Sequence, residues 1–161
     1  MNYRDEKVHD RLLIELTKEL DRLKKLDIFS SSFGLPNPGE LERAQRRKSY
    51  DVELTFSNFS SVIETKVDSN ESGRWGKLYQ TQQIVSNANS LRYLKPQKYF
   101  LFFTYGNSEY YTKPYRNGPA SPDFKHINLD KMVSFVESVF KLPLTGKSQY
   151  KEWLLAMQVE Q

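Results

Sequence analysis

Cysteine is absent from the 161 residues, which excludes disulfide scaffolds and metal sites built on thiolates. Histidine occurs only as His9 and His126, too far apart in sequence to suggest an imidazole-rich centre. Any metal must then be held by oxygen atoms, which favours a hard ion such as Mg²⁺. Long apolar runs are missing as well. None exceeds five residues, as in Tyr99 to Phe103, so no segment is expected to span a membrane. The start of the chain, Met1 to Lys7, is charged throughout and is unlike a signal peptide. The expectation is a cytoplasmic protein with no membrane partner.

Hydrophobic residues are on the lean side at 38%, but 10 Phe, 10 Tyr and 2 Trp argue against disorder, whose signature is few aromatics and high net charge. The length suits one domain over residues 1–161, enough to bury roughly two-thirds of the unfolded surface. The net charge of +4 is compatible with a polyanionic partner without requiring one.

The pattern begins with an amphipathic helix over residues 3–26, where Val8, Leu12, Leu16, Leu20 and Leu23 recur at helical spacing. Ser30 to Gly39, rich in Ser, Pro and Gly, predicts a loop, and a short strand follows at Leu41 to Ala44. Tyr50 to Phe56 alternates apolar and polar residues as a half-buried strand does. Asn58 to Ser60 reads as a turn and Ser61 to Val67 as a second, β-branched strand. After the polar break at 68–73, Trp75 to Leu94 predicts a helix, closed by Pro96. Lys98 to Tyr105 is an aromatic strand and 106–126 a long loop. Asn128 caps a helix over 129–140, and a last helix covers 148–158. The order is helix, three strands, helix, strand, then two helices: an α/β arrangement with helices covering a sheet.

Glu64 and Lys66 stand two apart on a strand and so project from one face. A hairpin turning at 58–60 sets position 51 opposite 67 or 68, which brings Asp51 to the Lys66 end of the second strand. Two carboxylates and a lysine then converge. A divalent cation relieves the repulsion between the acids, and Mg²⁺ commonly takes one or two carboxylates with waters and phosphate oxygens. The bland alternative is a solvated sheet face with a cross-strand ion pair worth under about 1 kcal/mol. Acid-x-Lys occurs three times, at Asp5-Glu6-Lys7, Glu64-Thr65-Lys66 and Asp123-Phe124-Lys125. The first lies in a surface helix and the third in the expected loop, so only the middle one has an acid at the start of a preceding strand.

Asp51 followed by Ile63-Glu64-Thr65-Lys66 resembles the PD-(D/E)XK nuclease superfamily, most closely those branches that read Asp-Ile/Val and then Ile-Glu-Asn-Lys. Gln83-Ile84 in the following helix is similar to their Gln-Leu pair, and the likeness runs loosely over residues 41–157. It implies a restriction-endonuclease-like core, α-β-β-β-α-β, with a mixed sheet flanked by helices and two C-terminal helices. It also implies Mg²⁺-dependent phosphodiester hydrolysis, with Mn²⁺ able to substitute and DNA the expected nucleic acid. Asp51 and Glu64 would be metal ligands with the Thr65 carbonyl assisting. Lys66 would act on the attacking water, and Gln83 would support the site or substrate. Tyr50 replaces the family's proline, and Thr65 its usual apolar residue or Asn. A further upstream acid would come from Glu6 or Glu42. Cutting both strands would suit a homodimer with one site per subunit. The alternative is a nuclease-like fold without turnover, acting as a nucleic-acid-binding or protein-interaction module.

Arg46 and Arg47 before Asp51, and Arg74 and Lys77 after the polar break, flank this site and would neutralise phosphates. Glu53 shares the face of Asp51 and reads either as a third acid or, the favoured reading, as an exposed strand charge. His9 and His126 read as surface histidines, and Trp75 and Trp153 as core anchors of their helices.

Overall fold

The structure, a computed structural model, describes residues 5–46, 52–66, 98–104, 123–127 and 129–159. It is a mixed α/β protein. Helix α1 (Glu6–Arg22) opens on Asp5, whose Oδ1 accepts from the Lys7 amide at 2.9 Å, satisfying one of the free donors of the first turn. Within the helix expected over 3–26, α1 ends at Arg22. Lys24 adopts φ 58°, a left-handed turn that ends the helical ladder, and α2 (Leu26–Phe33) begins two residues later. The serines of the expected loop lie inside α2, because Leu26, Phe29 and Phe33 supply a buried stripe that outweighs their weak helix preference. Gly34, at φ 67°, closes it.

Strands β1 (Leu41–Arg46), β2 (Val52–Phe56), β3 (Ser60–Lys66), β4 (Lys98–Thr104) and β5 (Asp123–Ile127) form one sheet in that order. The first three are antiparallel, whereas β4 and β5 run parallel to β3. β1 is two residues longer than expected. The β2–β3 turn is tighter than Asn58 to Ser60: Phe56 N–H donates to Phe59 O at 2.9 Å across Ser57 and Asn58, and Phe59 is fully buried. The ladder therefore pairs Val52 with Ile63 and Glu53 with Val62, which overturns the register that set position 51 opposite 67 or 68. β5 corrects the end of the loop expected over 106–126, of which 106–122 falls outside the described residues, and it carries the Asp123-Phe124-Lys125 triplet on a strand. Its neighbour β4, Lys98–Thr104, contains no acid, so this triplet still lacks the partner carboxylate of the middle one. The helix expected over 75–94 falls outside the described residues.

Helices α3 (Leu129–Val139) and α4 (Lys147–Val159) complete the described chain. One sheet face supplies Val52, Leu54, Phe56, Ile63, Leu101, Phe103 and Ile127 to the core. Phe29 of α2 meets Phe33 and Phe135 edge-to-face at 5.0 and 5.7 Å, the geometry that aromatic quadrupoles favour. Trp153 anchors α4 as expected, fully buried. Among the described residues no helix is long and apolar enough to cross a membrane.

Candidate functional site

The antiparallel register sorts the β2–β3 hairpin into two faces. Val52, Leu54, Ser61, Ile63 and Thr65 alternate onto the side that carries the helices, and Glu53, Thr55, Ser60, Val62 and Glu64 onto the other. The second set is buried too. Glu53 is 1% exposed and Glu64 3% exposed, so Glu53 is not the exposed strand charge that alternation alone suggests. Glu53 faces Val62, two residues before Glu64, which makes the two carboxylates diagonal neighbours on one face. The Thr55 hydroxyl donates to Glu53 Oε1 at 3.3 Å.

Of the residues expected at the site, Glu64 and Thr65 lie in the buried second half of β3, with Thr65 on the opposite face. Lys66 is the last residue of β3 and pairs with Thr104. Arg46 ends β1 opposite Val52, a strand residue and not part of a loop. Asp51, Gln83, Arg47, Arg74 and Lys77 lie outside the described residues. Neither upstream acid is buried: Glu6 is partly exposed and Glu42 exposed.

A different acid is buried on the helix side. Asp10 of α1 is wholly inaccessible, and its Oδ2 lies 3.9 Å from Nε of the half-exposed Arg46. Beside it His9 is also wholly buried, which corrects its reading as a surface residue. The His9 ring meets Phe103 and Trp153 edge-on, at 6.3 and 5.0 Å. Trp153 Nε1–H donates to His9 Nδ1 at 3.3 Å, which leaves the ring proton on Nε2. Burial pushes the His9 imidazole down to about 3, so it is neutral near pH 7. The helical period already holds the signal for both residues. Asp10 precedes Leu13 by three positions and Thr17 by seven, and His9 precedes Leu13 by four, on the buried side of α1.

Glu53 and Glu64 offer hard oxygen donors of the type Mg²⁺ selects. Among the described residues no three His, Asp or Glu side chains are grouped closely enough to hold a metal ion; Asp51 is not among them. No protein-family model, curated protein or solved structure matches the chain.

Proposed function

We propose that the chain is a metal-dependent nuclease on a restriction-endonuclease-like core, hydrolysing phosphodiester bonds of nucleic acid, with DNA as the first substrate to test. The observation that supports it most is the burial of two carboxylates, Glu53 and Glu64, as diagonal neighbours on one face of the β2–β3 hairpin. Glu64 opens the Glu64-Thr65-Lys66 triplet that carries the resemblance, and Asp51 immediately precedes Val52 in the sequence.

Mg²⁺ or Mn²⁺ bound there would supply polarisation of the phosphodiester and a lower pKa for a coordinated water. The chain's own residues do the rest in this proposal. Asp51 and Glu64 present carboxylate oxygens, and Thr65 offers its backbone carbonyl at the same strand level. Lys66, two residues beyond Glu64, orients the attacking water and balances charge gathering on the phosphoryl oxygens. Glu53, buried beside Glu64, steadies the ligand set from the next position along β2. Gln83 would support the site or the substrate.

The test is incubation of the purified protein with labelled DNA and RNA in Mg²⁺, Mn²⁺ or chelator, beside Glu64→Ala and Lys66→Ala variants checked for folding by circular dichroism. Metal-dependent cleavage in the parent and none in folded variants supports the proposal. Cleavage persisting in both variants rejects these residues. Binding without cleavage under every metal favours a nuclease-like binding module.

A further inference from the structure

The outer face of α1 carries cations at Lys7, Arg11 and Lys18, all exposed. Seven and eleven positions correspond to two and three helical turns, so Lys7, Arg11 and Lys18 fall in one lengthwise stripe. Between that stripe and the end of edge strand β1 runs a groove of about 430 Å³, closed on the strand side by Arg46. Four cations line it against one acid, Glu15, with Val8 and Ile14 between them, and the buried carboxylate of Asp10 stands 3.9 Å from Arg46. The whole chain has a net charge of only +4, so this groove gathers a large share of the excess in one place. Glu15 offsets part of it through Arg11, Nη1 to Oε1 at 3.4 Å, an exposed pair that solvent and salt weaken.

We infer that this groove binds the phosphate backbone of a nucleic-acid strand. Two features fit that occupant. Lys7 and Lys18 are about 16 Å apart along the helix at 1.5 Å per residue, a reach of about five nucleotides at 3.4 Å each. The lining offers guanidinium and ammonium donors with apolar stems, which suit phosphate oxygens and sugar edges better than a flat apolar partner. Arg46 ends the groove on the helix-carrying side of the sheet, 3.9 Å from Asp10, whereas Glu64 lies on the opposite face. The occupant's class rests on the nuclease reading; the groove's charge does not.

Binding is measured by fluorescence anisotropy of a labelled 20-nucleotide DNA in EDTA, so that no cleavage occurs. The parent is compared with the Lys7→Gln/Arg11→Gln/Lys18→Gln variant. A control variant, Lys25→Gln/Lys141→Gln/Lys151→Gln, removes three exposed cations that do not line the groove. The groove variant should bind at least tenfold more weakly, with a salt slope shallower by about 2–3, since each phosphate contact adds roughly 0.7–0.9 to it. The control should bind like the parent. Equal loss in both variants, or none in the groove variant, overturns the assignment. So does a groove variant that keeps its DNA affinity while losing adhesion to phosphatidylserine vesicles. Hydrolysis of a small phosphodiester, bis(p-nitrophenyl) phosphate, separates the two readings. A parent that binds DNA through the groove but hydrolyses nothing retains the groove and loses the nuclease. A parent whose cleavage of long DNA is unaffected in the groove variant retains the nuclease and loses the groove.

Discussion

Glu53 and Glu64 are diagonal neighbours on one face of the β2–β3 hairpin, and both are almost wholly buried. Their positions differ by one diagonal step, about 7–8 Å between Cα atoms. Removing two carboxylates from water costs several kcal/mol each unless positive charge or good hydrogen bonding accompanies them. Val62, directly opposite Glu53, is the apolar residue of that face beside them. On the proposed reading the two acids belong to a site that gathers cations.

The two acids should respond differently to loss of charge. Glu64→Gln removes a proposed ligand, and metal-dependent cleavage should fall by more than about 100-fold, beyond the 10–100-fold typical of outer-shell changes. Glu53→Gln keeps the hydrogen bond from Thr55 and should lose roughly 10–100-fold. Both should remain folded by circular dichroism. Initial rates of DNA cleavage across a Mn²⁺ titration decide it: equal losses in the two variants would remove the distinction between ligand and neighbour.

The register behind this arrangement depends on a clasp at the turn. Ser57 N–H donates to Glu40 O at 2.8 Å, and the Glu40 amide donates to Ser57 Oγ at 2.9 Å. Asn58 Nδ2 donates to Asn37 O at 3.0 Å. Gly39 makes the approach possible: its φ is 74°, and a Cβ there would overlap the Ser57 hydroxyl. Gly39→Ala should therefore cost about 2–4 kcal/mol, combining left-handed strain with broken clasp hydrogen bonds. Ser57→Ala should cost only about 1 kcal/mol. Urea denaturation of the two variants gives both numbers, and a Gly39→Ala protein as stable as the parent would remove the clasp from the account.

Much of this fold can be read from periodicity. Val8 to Leu20 predicts α1, and the alternation from Val52 to Phe56 predicts β2. What periodicity misreads is punctuation. Leu23 and Leu26 continue the helical stripe, yet Lys24 turns left-handed and starts a second helix. Ser30 to Ser32 look like loop residues, yet Phe29 and Phe33 hold them in α2. At the hairpin, Asn58 signals the turn correctly, but Phe59 belongs to the buried side of it, and that difference moves the register. Glu53 and Glu64 are visible as acids on alternating strands; their burial is not, because a period of two distinguishes faces without saying which are covered. Asp10 and His9 sit on the apolar side of α1, and their polarity conceals that burial.

His9 provides a pH signature. Its pKa is near 3 in the folded protein, against 6.5 as the ordinary value, because burial disfavours the imidazolium. The unfolded chain therefore binds the proton more tightly. This contribution to stability is complete above about pH 6.5 and is lost as pH falls toward 3, at up to about 1.4 kcal/mol per pH unit. His9→Gln can retain an acceptor for Trp153 Nε1–H and cannot titrate. Chemical denaturation at pH 7, 6, 5 and 4.5 should show the parent losing stability faster than His9→Gln over this range. Parallel curves would mean that His9 titrates alike in the folded and unfolded states.

Glu19 joins the two ends of the chain. From the last turns of α1 its carboxylate accepts from the amides of Thr145 and Gly146, both at 3.2 Å. It also accepts from the Thr145 hydroxyl and, at 3.3 Å, from the Tyr150 hydroxyl. These amides precede the first turn of α4, where unsatisfied N–H groups and the helix dipole favour negative charge. Glu19→Ala should cost about 2–3 kcal/mol, since several donors lose a charged acceptor at once, and lower Tm by about 4–10 °C. Tyr150→Phe should cost about 1 kcal/mol, and less in the Glu19→Ala background because the two share an interaction. The same contact holds the Tyr150 phenol above its ordinary pKa of 10, chiefly through burial and then through the charge of Glu19. Its folded pKa is raised, so its contribution is complete below pH 10 and declines as pH climbs beyond that value. Ultraviolet titration should show the parent and Tyr150→Phe ionising the same number of tyrosines while both remain folded. An extra tyrosinate in the folded parent near pH 10 would place the phenol in water and break the link between α1 and α4.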